Sequence, residues 1–391
     1  MVEVCDITSV SCGQEINLVG RLLLADKTGN ISKFGVFTRI KDRDFITFER
    51  VEWGGHSIPV FLLKNEENVL AANSLFHYGD VIMLRGAKEQ LDGTDIFIAT
   101  EVVLLSKTVG DVYDSNIDFR KRSNLHDHRH LQLIRDPGRV ANFKKCSVVL
   151  RSIREFLYGQ GYEELNLTML QEKFEAGLAK PFTTRVNELD RDMYLRLTSE
   201  LFLRKLMIAG FSKIFEIGKS FRNQGATGSM LPQFTILELY RSFATSEAVE
   251  SLLQDMLCYV LVQLYGLPSI PTNGGVIDCA GDWPRYDFLD EIHRLTGLHY
   301  DESRPIAERL SLLDRLGVDS PSVVVNDYTV ATALYSSVMS KITGPAFLRN
   351  LPAAQSPIFK LGDNKSVVDE TNWLSTVCSS PIWLIRSEIQ A

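Results

Sequence analysis

Short segments in which apolar and polar residues alternate, separated by turn residues, fill the N-terminal part of the chain. The alternation predicts six strands: Ile16–Leu24, Ser32–Lys41, Phe45–Val51, Ser57–Leu63, Val81–Gly86 and Asp95–Leu105. So many short strands in so short a stretch are typical of a small Greek-key barrel, of which the OB-fold is the commonest form. We therefore predict an OB-fold domain over residues 1–110.

The predicted strand Ser32–Lys41 has two different faces. Phe37 and Arg39 lie on one face together with further cations, while the other face is largely apolar and can fill a barrel. A lone aromatic ring among cations provides the base stacking and phosphate attraction that single-stranded nucleic acid needs. A plain solvated strand face is the alternative, and acidic residues outnumber basic ones over positions 1–110. Both interpretations stay open on the residues alone.

Helical spacing and longer strands dominate the rest of the chain. Apolar residues recur at three- and four-residue steps over Phe143–Tyr158, and a second helix is expected from Ser199, as N-cap, to Ile208. Two strands, about Lys213–Asn223 and Gln233–Phe243, flank a glycine-rich stretch that could hold a polyanion above a sheet, and an amphipathic helix over Ser246–Tyr265 follows. The whole pattern indicates an α+β protein.

Composition narrows the class of protein. Of 391 residues, 45% are hydrophobic and 23% charged, the proportions of an ordinary soluble protein, and the net charge of −7 gives no general footprint for nucleic acid. The six cysteines include no CxxC pair, which argues against a zinc site or a disulfide framework and fits a reducing cytosol. The most apolar stretch, Leu252–Leu267, carries polar residues at helical spacing. We expect a cytoplasmic protein that does not enter a membrane.

A basic run, Arg120–Arg154, follows the predicted barrel. It could face a nucleic-acid backbone, or it could be a solvated linker and helix face. Within it, His126, His128 and His130 alternate in a turn-like segment, where loop histidines are a better interpretation than metal ligands. We expect no metal site, and we interpret residues 111–130 as a linker.

Several ordered segments are similar to class II lysyl-tRNA synthetases. The segments that carry the resemblance are Val19–Arg21, Ile40–Asp42, His130–Asp136, Ala179–Thr183, Asp192–Leu206, Phe211–Asn223 and Pro232–Tyr240. The resemblance implies an N-terminal OB-fold that binds the anticodon, followed over residues 131–391 by a catalytic domain built on an antiparallel sheet flanked by helices. It also implies lysine or an analogue, ATP with Mg²⁺ and tRNA as ligands, and a homodimer.

The chemistry of such a site can be stated independently. Activating an amino acid with ATP brings together a carboxylate and a triphosphate, and a fixed guanidinium can offset their repulsion. By the resemblance, Arg222 is that catalytic residue, and Phe234 is the aromatic residue under the adenine. Glu200, Glu238 and Tyr240 match positions that line the amino-acid pocket. The candidate tRNA contacts in the barrel are Arg21, Phe37 and Arg39.

The chain departs from the family at several positions near the predicted site. This chain lacks a charged residue, a polar donor, a glycine or a proline of the family at Thr168, Phe174–Gly177, Gln224, Met230, Leu231 and Gln233. Gly344–Pro352, Ser356–Lys360 and Ile382–Ile389 resemble the strands that precede the family's last substrate residues. Motif 3, with the arginine that clamps ATP, is not found after them, so we expect a C-terminally incomplete domain whose open edge a second copy or another partner covers.

Two functions follow from these observations. The first is an ATP-dependent ligase similar to lysine–tRNA ligase, and the second is a catalytically impaired paralogue that acts as a binding, regulatory or partner-dependent subunit. Retention of Glu200, Arg222, Glu238 and Tyr240 favours a surviving amino-acid pocket. The losses around the ATP site favour the second function.

Overall fold

A computed structural model gives the fold of the chain. It describes residues 2–3, 7, 9–23, 37–40, 43–53, 56–65, 76–110, 112, 117–118, 127–173, 180–223, 231–272, 275–318, 325–355 and 366–374. The chain divides into two compact units, Met1–Cys146 and Ser147–Ala391. Several predictions concern residues outside the described ones: Phe174–Gly177, Gln224, Met230, Ser356–Lys360 and Ile382–Ile389.

The first unit is built mainly from strands. They are β1 (Val2–Glu3), β2 (Glu15–Leu23), β3 (Phe37–Ile40), β4 (Arg43–Trp53), β5 (His56–Leu63), β6 (Val81–Leu91) and β7 (Thr94–Ser106). Each of the six strands predicted from alternation overlaps one of these, so that prediction is confirmed. The first part of the predicted strand Ser32–Lys41 lies outside the described residues.

The strands of this unit pair in the order β1-β2-β6-β7-β5-β4-β3, and β2 also pairs with β4. The pairings therefore connect β2, β4, β5, β7 and β6 in a cycle, with β5 and β7 parallel. Their inward side chains, among them Leu18, Leu62 and Phe97, form one apolar core. Gly86 allows the closest approach of β6 to β7, because a Cβ there would lie 2.0 Å from the carbonyl oxygen of Ile98.

Two helices follow β7 along the chain: α1 (Arg129–Arg135) and α2 (Pro137–Gly159). The α2 helix contains the predicted helix Phe143–Tyr158 and extends it toward the N-terminus, where Pro137 suits a first-turn position. His130, which we expected in a loop, lies in α1. This expectation was wrong because the neighbouring apolar residues continue the helical spacing through the histidine.

The second unit combines small sheets with helices. Its first elements are β8 (Glu163–Glu164), β9 (Leu170–Gln171), β10 (Thr183–Val186), β11 (Arg191–Leu195), α3 (Glu200–Ile208), β12 (Lys213–Phe221), β13 (Gln233–Arg241) and α4 (Ser246–Tyr265). Its later elements are β14 (Ser269–Thr272), β15 (Gly275–Asp278), β16 (Arg285–Asp287), α5 (Phe288–Thr296), α6 (Ile306–Leu316), α7 (Asp327–Lys341), β17 (Ala346–Pro352) and β18 (Val367–Leu374). The α+β prediction is confirmed.

The sheets of this unit are mixed rather than purely antiparallel. The ladder between β12 and β13 is antiparallel, as predicted, but β8 joins β12 in parallel and β16 joins β17 in parallel. The predicted bounds of α4 agree with the structure, and Thr245 caps the helix by accepting a hydrogen bond from the amide of Ala248. Among the described residues, no helix is both long and apolar enough to cross a membrane.

The β12–β13 ladder has an apolar face and a mixed face. Phe215, Ile217, Leu237 and Leu239 belong to the apolar face, which packs against Leu253 and Met256 of α4 in one hydrophobic cluster. The opposite face, here called the pocket face, consists of Ile214, Glu216, Gly218, Ser220, Phe234, Ile236, Glu238 and Tyr240. Burial of the apolar face against α4 fixes the register, and the register in turn places the polar residues side by side.

Candidate functional site

The pocket face brings Arg222 next to Phe234. Arg222 directly follows β12, and its amide donates to the carbonyl of Pro232 at 2.9 Å, which continues the ladder by one step. The carbon at the centre of its guanidinium lies 5.1 Å from the centroid of the Phe234 ring, a cation–π distance. The aromatic ring thereby holds a positive charge at one end of the pocket face.

Glu238 lies near the middle of the pocket face. Its Oε1 accepts hydrogen bonds from the Thr198 hydroxyl and, at 3.4 Å, from the Ser199 amide. Its Oε2 is inaccessible to solvent and has no hydrogen-bond partner among the residues that the structure describes. Burial raises the pKa of Glu238 above its usual value, and the nearby charge of Glu200 acts in the same direction. This oxygen is therefore a buried acceptor suited to a cationic donor.

The raised pKa of Glu238 predicts how stability changes with pH. Folding favours the protonated carboxyl of Glu238. The stability that this group contributes to the folded state is therefore fully present below its unfolded pKa of about 4.3, and it is lost as the pH rises through the higher folded pKa. Glu238→Gln should therefore stabilise the protein by up to about 1 kcal/mol at pH 7.5. The gain should shrink toward pH 4 in thermal unfolding followed by circular dichroism. A gain that is the same at both pH values would contradict this account.

Glu200 begins α3 and is already paired within the helix. Its carboxylate lies 2.6 Å from a guanidinium nitrogen of Arg204, and both side chains are only 16% exposed. Its amide donates to the Thr198 hydroxyl at 3.1 Å, so that hydroxyl links Glu200 to Glu238. Ser199 occupies the predicted N-cap position, but its side chain makes no capping hydrogen bond. The structure thus brings Glu200 and Glu238 together through the residues that precede α3.

Tyr240 lies one alternate step beyond Glu238 on β13. It is 8% exposed and packs with Leu203 of α3 and Ile214 of β12 in an apolar cluster. Phe234 lies four residues from Glu238 in the other direction, which is roughly 13 Å along a strand. The predicted positions therefore form a row on the pocket face, with the Arg222–Phe234 pair at one end and Tyr240 at the other.

Sequence reasoning missed a buried ion pair that includes Glu216 of the pocket face, the residue opposite Glu238. The Arg196 guanidinium lies 2.9 Å from the Glu216 carboxylate, and their side chains are 1% and 6% exposed. Glu216 also accepts from the amide of Leu167 at 3.1 Å. A signal was available in the sequence, because each of the two charged residues lies inside an apolar segment. Leu195 and Leu197 flank Arg196, and aromatic and aliphatic residues flank Glu216.

The predicted tRNA contacts lie on two strands of the first unit. Phe37 and Arg39 are on β3, where their backbones pair with Ile46 and Asp44. Their side chains lie outside what the structure describes. Arg21 is on β2, and its guanidinium donates to the carbonyl of Gly79. A role of these residues in RNA binding stays a prediction.

Comparison with known proteins places these observations in a family. The family model described as tRNA synthetases class II (D, K and N) matches residues 121–375. A lysine–tRNA ligase of Pelotomaculum thermopropionicum is 29% identical over 320 residues, which are 80% of this chain and 63% of that protein. The lysine–tRNA ligase of Fervidobacterium nodosum is 29% identical over 352 residues, 89% of this chain and 65% of that protein. The chain thus spans somewhat less than two thirds of the length of these two relatives.

Proposed function

We propose, from the premise that this chain belongs to the class II tRNA synthetases (D, K and N), that its pocket face binds lysine or a similar amino acid together with ATP and joins them as an aminoacyl adenylate. The observation that carries the proposal is the row formed by the Arg222–Phe234 pair and Glu238 on one face of one ladder. The row offers a fixed cation, an aromatic ring and a buried carboxylate, which are three different groups that this reaction needs.

Arg222 would supply the main electrostatic contribution. The amino-acid carboxylate attacks the α-phosphate and displaces pyrophosphate, so the transition state brings two anionic groups close together. A guanidinium held on an aromatic ring can donate to both groups at once, and it needs no rearrangement during the reaction. Phe234 offers its ring to the purine, and it keeps the Arg222 guanidinium within 5.1 Å.

Glu238 would receive an ammonium group of the amino acid. Its Oε1 is held by Thr198 and Ser199, so its Oε2 is left for the ligand. A positive ligand would favour the ionised carboxylate, which offsets the effect of burial on its pKa. The roughly 13 Å along β13 from Glu238 to Phe234 leaves room for an amino acid joined to a nucleotide.

Magnesium would enter this site with the nucleotide. Mg²⁺ in nucleotide sites is held chiefly by phosphates and water with one or two carboxylates. Among the described residues, no group of three or more histidine, cysteine, aspartate or glutamate side chains is suited to hold a metal ion.

A binding or regulatory role is the second candidate, and the Glu200–Arg204 ion pair favours it. In that role the protein keeps amino-acid binding without adenylation. Arg204 neutralises one of the two carboxylates that would receive the two ammonium groups of lysine. Isothermal titration calorimetry with lysine and then with ATP tests both candidates. Binding of lysine and ATP supports the first candidate, binding of lysine alone supports the second, and binding of neither contradicts both.

The first unit would bind tRNA as an OB-fold domain. We propose that the OB-fold domain covers residues 1–110 and that a linker, residues 111–130, joins it to a catalytic domain over residues 131–391. We also propose that the protein forms a homodimer. The cycle of pairings among β2, β4, β5, β7 and β6 supports this proposal, because a five-stranded Greek-key barrel requires such a cycle. The position of both Phe37 and Arg39 in β3 is consistent with it.

Phe37→Ala should weaken binding of tRNA by about 1–3 kcal/mol, the usual contribution of one base stacked on an aromatic ring. Fluorescence anisotropy with labelled tRNA at low salt measures the effect. Phe61→Ala, on β5, which β4 separates from β3, serves as an aromatic control for general damage to this unit. Unchanged affinity of the Phe37 variant would remove this residue from the RNA contact.

A further inference from the structure

Arg196 makes hydrogen bonds to three residues of β12, Glu216, Lys219 and Phe221. Its Nε donates to the carbonyl of Lys219 at 2.8 Å, and its Nη1 donates to Glu216 at 2.9 Å. Its own carbonyl accepts from the amide of Phe221 at 3.0 Å, and its amide donates to the carbonyl of Met169 at 2.9 Å. Both its side chain and its backbone are therefore tied down.

The guanidinium lies against β12 at Gly218, where the strand has no side chain. A Cβ at Gly218 would lie 2.1 Å from Arg196 Nη2, so only glycine leaves room for the arginine in this position. The side chain of Arg196 is 1% exposed, and that of its partner Glu216 is 6% exposed. A buried ion pair adds little net stability compared with apolar residues of the same size. We therefore look for the role of this pair in the position that it gives to the neighbouring residues.

The residues directly after Arg196 hold the Glu238 carboxylate. Thr198 donates to Glu238 through its hydroxyl, and Ser199 donates through its amide. Only Leu197 lies between Arg196 and Thr198, so little of the chain can move between the anchored guanidinium and the Thr198 hydroxyl. The orientation of Glu238 then depends on where Arg196 holds this segment.

We propose that Arg196, held by Glu216 and by the Lys219 carbonyl, is a positioning residue that fixes the Thr198 and Ser199 donors and through them aims the Glu238 carboxylate. The inference rests on the proposed function only in taking Glu238 as the receptor of the amino acid. Arg196 itself touches no part of the ligand in this account. Its effect on binding must pass through the hydrogen bonds that Thr198 and Ser199 donate to Glu238.

A double-mutant cycle on the full chain tests this dependence. The readout is the pKa of Glu238, measured by titrating its labelled carboxyl carbon in NMR spectra and assigned with Glu238→Gln. Thr198→Val removes a hydrogen bond to the charged form, so it should raise the pKa of Glu238 further. Arg196→Lys keeps the charge beside Glu216, but an ammonium cannot reach both acceptors in the same geometry, so it should also raise this pKa.

The double variant decides between positioning and general support. If Arg196 acts through Thr198 and Ser199, the double variant should shift the pKa of Glu238 by less than the sum of the two single shifts, because Thr198→Val already removes one of the two donors. Fully additive shifts, or an unchanged pKa in Arg196→Lys, would overturn the proposal. Arg154→Lys is the matched control, because Arg154 is also bound to a carboxylate of this unit, that of Glu164, at 2.9 and 3.0 Å. It should leave the pKa of Glu238 unchanged.

Two further measurements keep the outcomes distinct. Should Arg196→Lys fail to fold, Gly218→Ala displaces the same guanidinium without changing any charge, and it should shift the pKa of Glu238 in the same direction. Lysine binding by calorimetry should weaken about tenfold in Arg196→Lys. A parent protein that binds no amino acid would contradict the proposed function, while the NMR cycle would still decide whether Arg196 positions Glu238.

Discussion

Arg222→Ala is expected to lower amino-acid-dependent exchange of pyrophosphate into ATP by at least about 100-fold. The arginine is the one cation that the structure places on Phe234 at the end of the pocket face, and alanine leaves the charge of the attacking carboxylate and the α-phosphate without a fixed counter-charge there. The exchange assay measures this step directly, because it reports formation of the adenylate and its reversal.

Binding measurements separate the role of Arg222 in catalysis from a role in recognition. Arg222→Ala should weaken binding of lysine about tenfold, because a charge-assisted hydrogen bond to the carboxylate is lost. Binding of cadaverine, which has the two ammonium groups of lysine but no carboxylate, should not change. Arg185→Ala, at an exposed arginine of β10, should leave both assays unchanged. Equal loss of lysine and cadaverine binding would show that Arg222 supports the fold instead.

Glu250→Gln is expected to lower the free energy of unfolding by about 2–4 kcal/mol. Glu250 lies on α4 with a fully buried side chain, and it accepts from Arg285 at 2.8 Å and from Arg349 at 2.6 Å. It therefore joins α4 to β16 and β17. Because the arginine side chains are 36% and 28% exposed, water screens part of the lost attraction, so the effect should stay below that of a fully buried triad.

Urea unfolding measures this change, and Glu247→Gln is its matched control. Glu247 lies on the same helix and pairs with the same Arg349 at 3.2 Å, but its side chain is 62% exposed. An exposed pair is worth less than about 1 kcal/mol, so the control should lose correspondingly little. Similar losses in the two variants would contradict the distinction between the buried and the exposed carboxylate.

Local patterns in the sequence were sufficient to predict the two strands of the β12–β13 ladder. Residues of β13 alternate between a side that packs on α4 and a side that does not, and the strand itself was predicted from the sequence. In the structure this alternation places Phe234, Glu238 and Tyr240 on one side. The roles of Arg222 and Phe234 were expected from the resemblance. The structure places the central guanidinium carbon of Arg222 5.1 Å from the centroid of the Phe234 ring.

Contacts between elements could not be predicted in the same way. The pairing of Arg196 with Glu216 depends on how the segment before α3 crosses β12, and no periodicity along the chain encodes that crossing. The Glu200–Arg204 pair was accessible in principle, because a four-residue spacing places both side chains on one face of a helix. It was missed because Glu200 had been assigned to the ligand.

Exchange of labelled pyrophosphate into ATP, tested with each standard amino acid in turn, is the most direct test of the central claim that the pocket face forms an aminoacyl adenylate. The account predicts exchange that depends on an added amino acid, is strongest with lysine and is lost in Arg222→Ala. Exchange no higher with any amino acid than with ATP alone would contradict the claim.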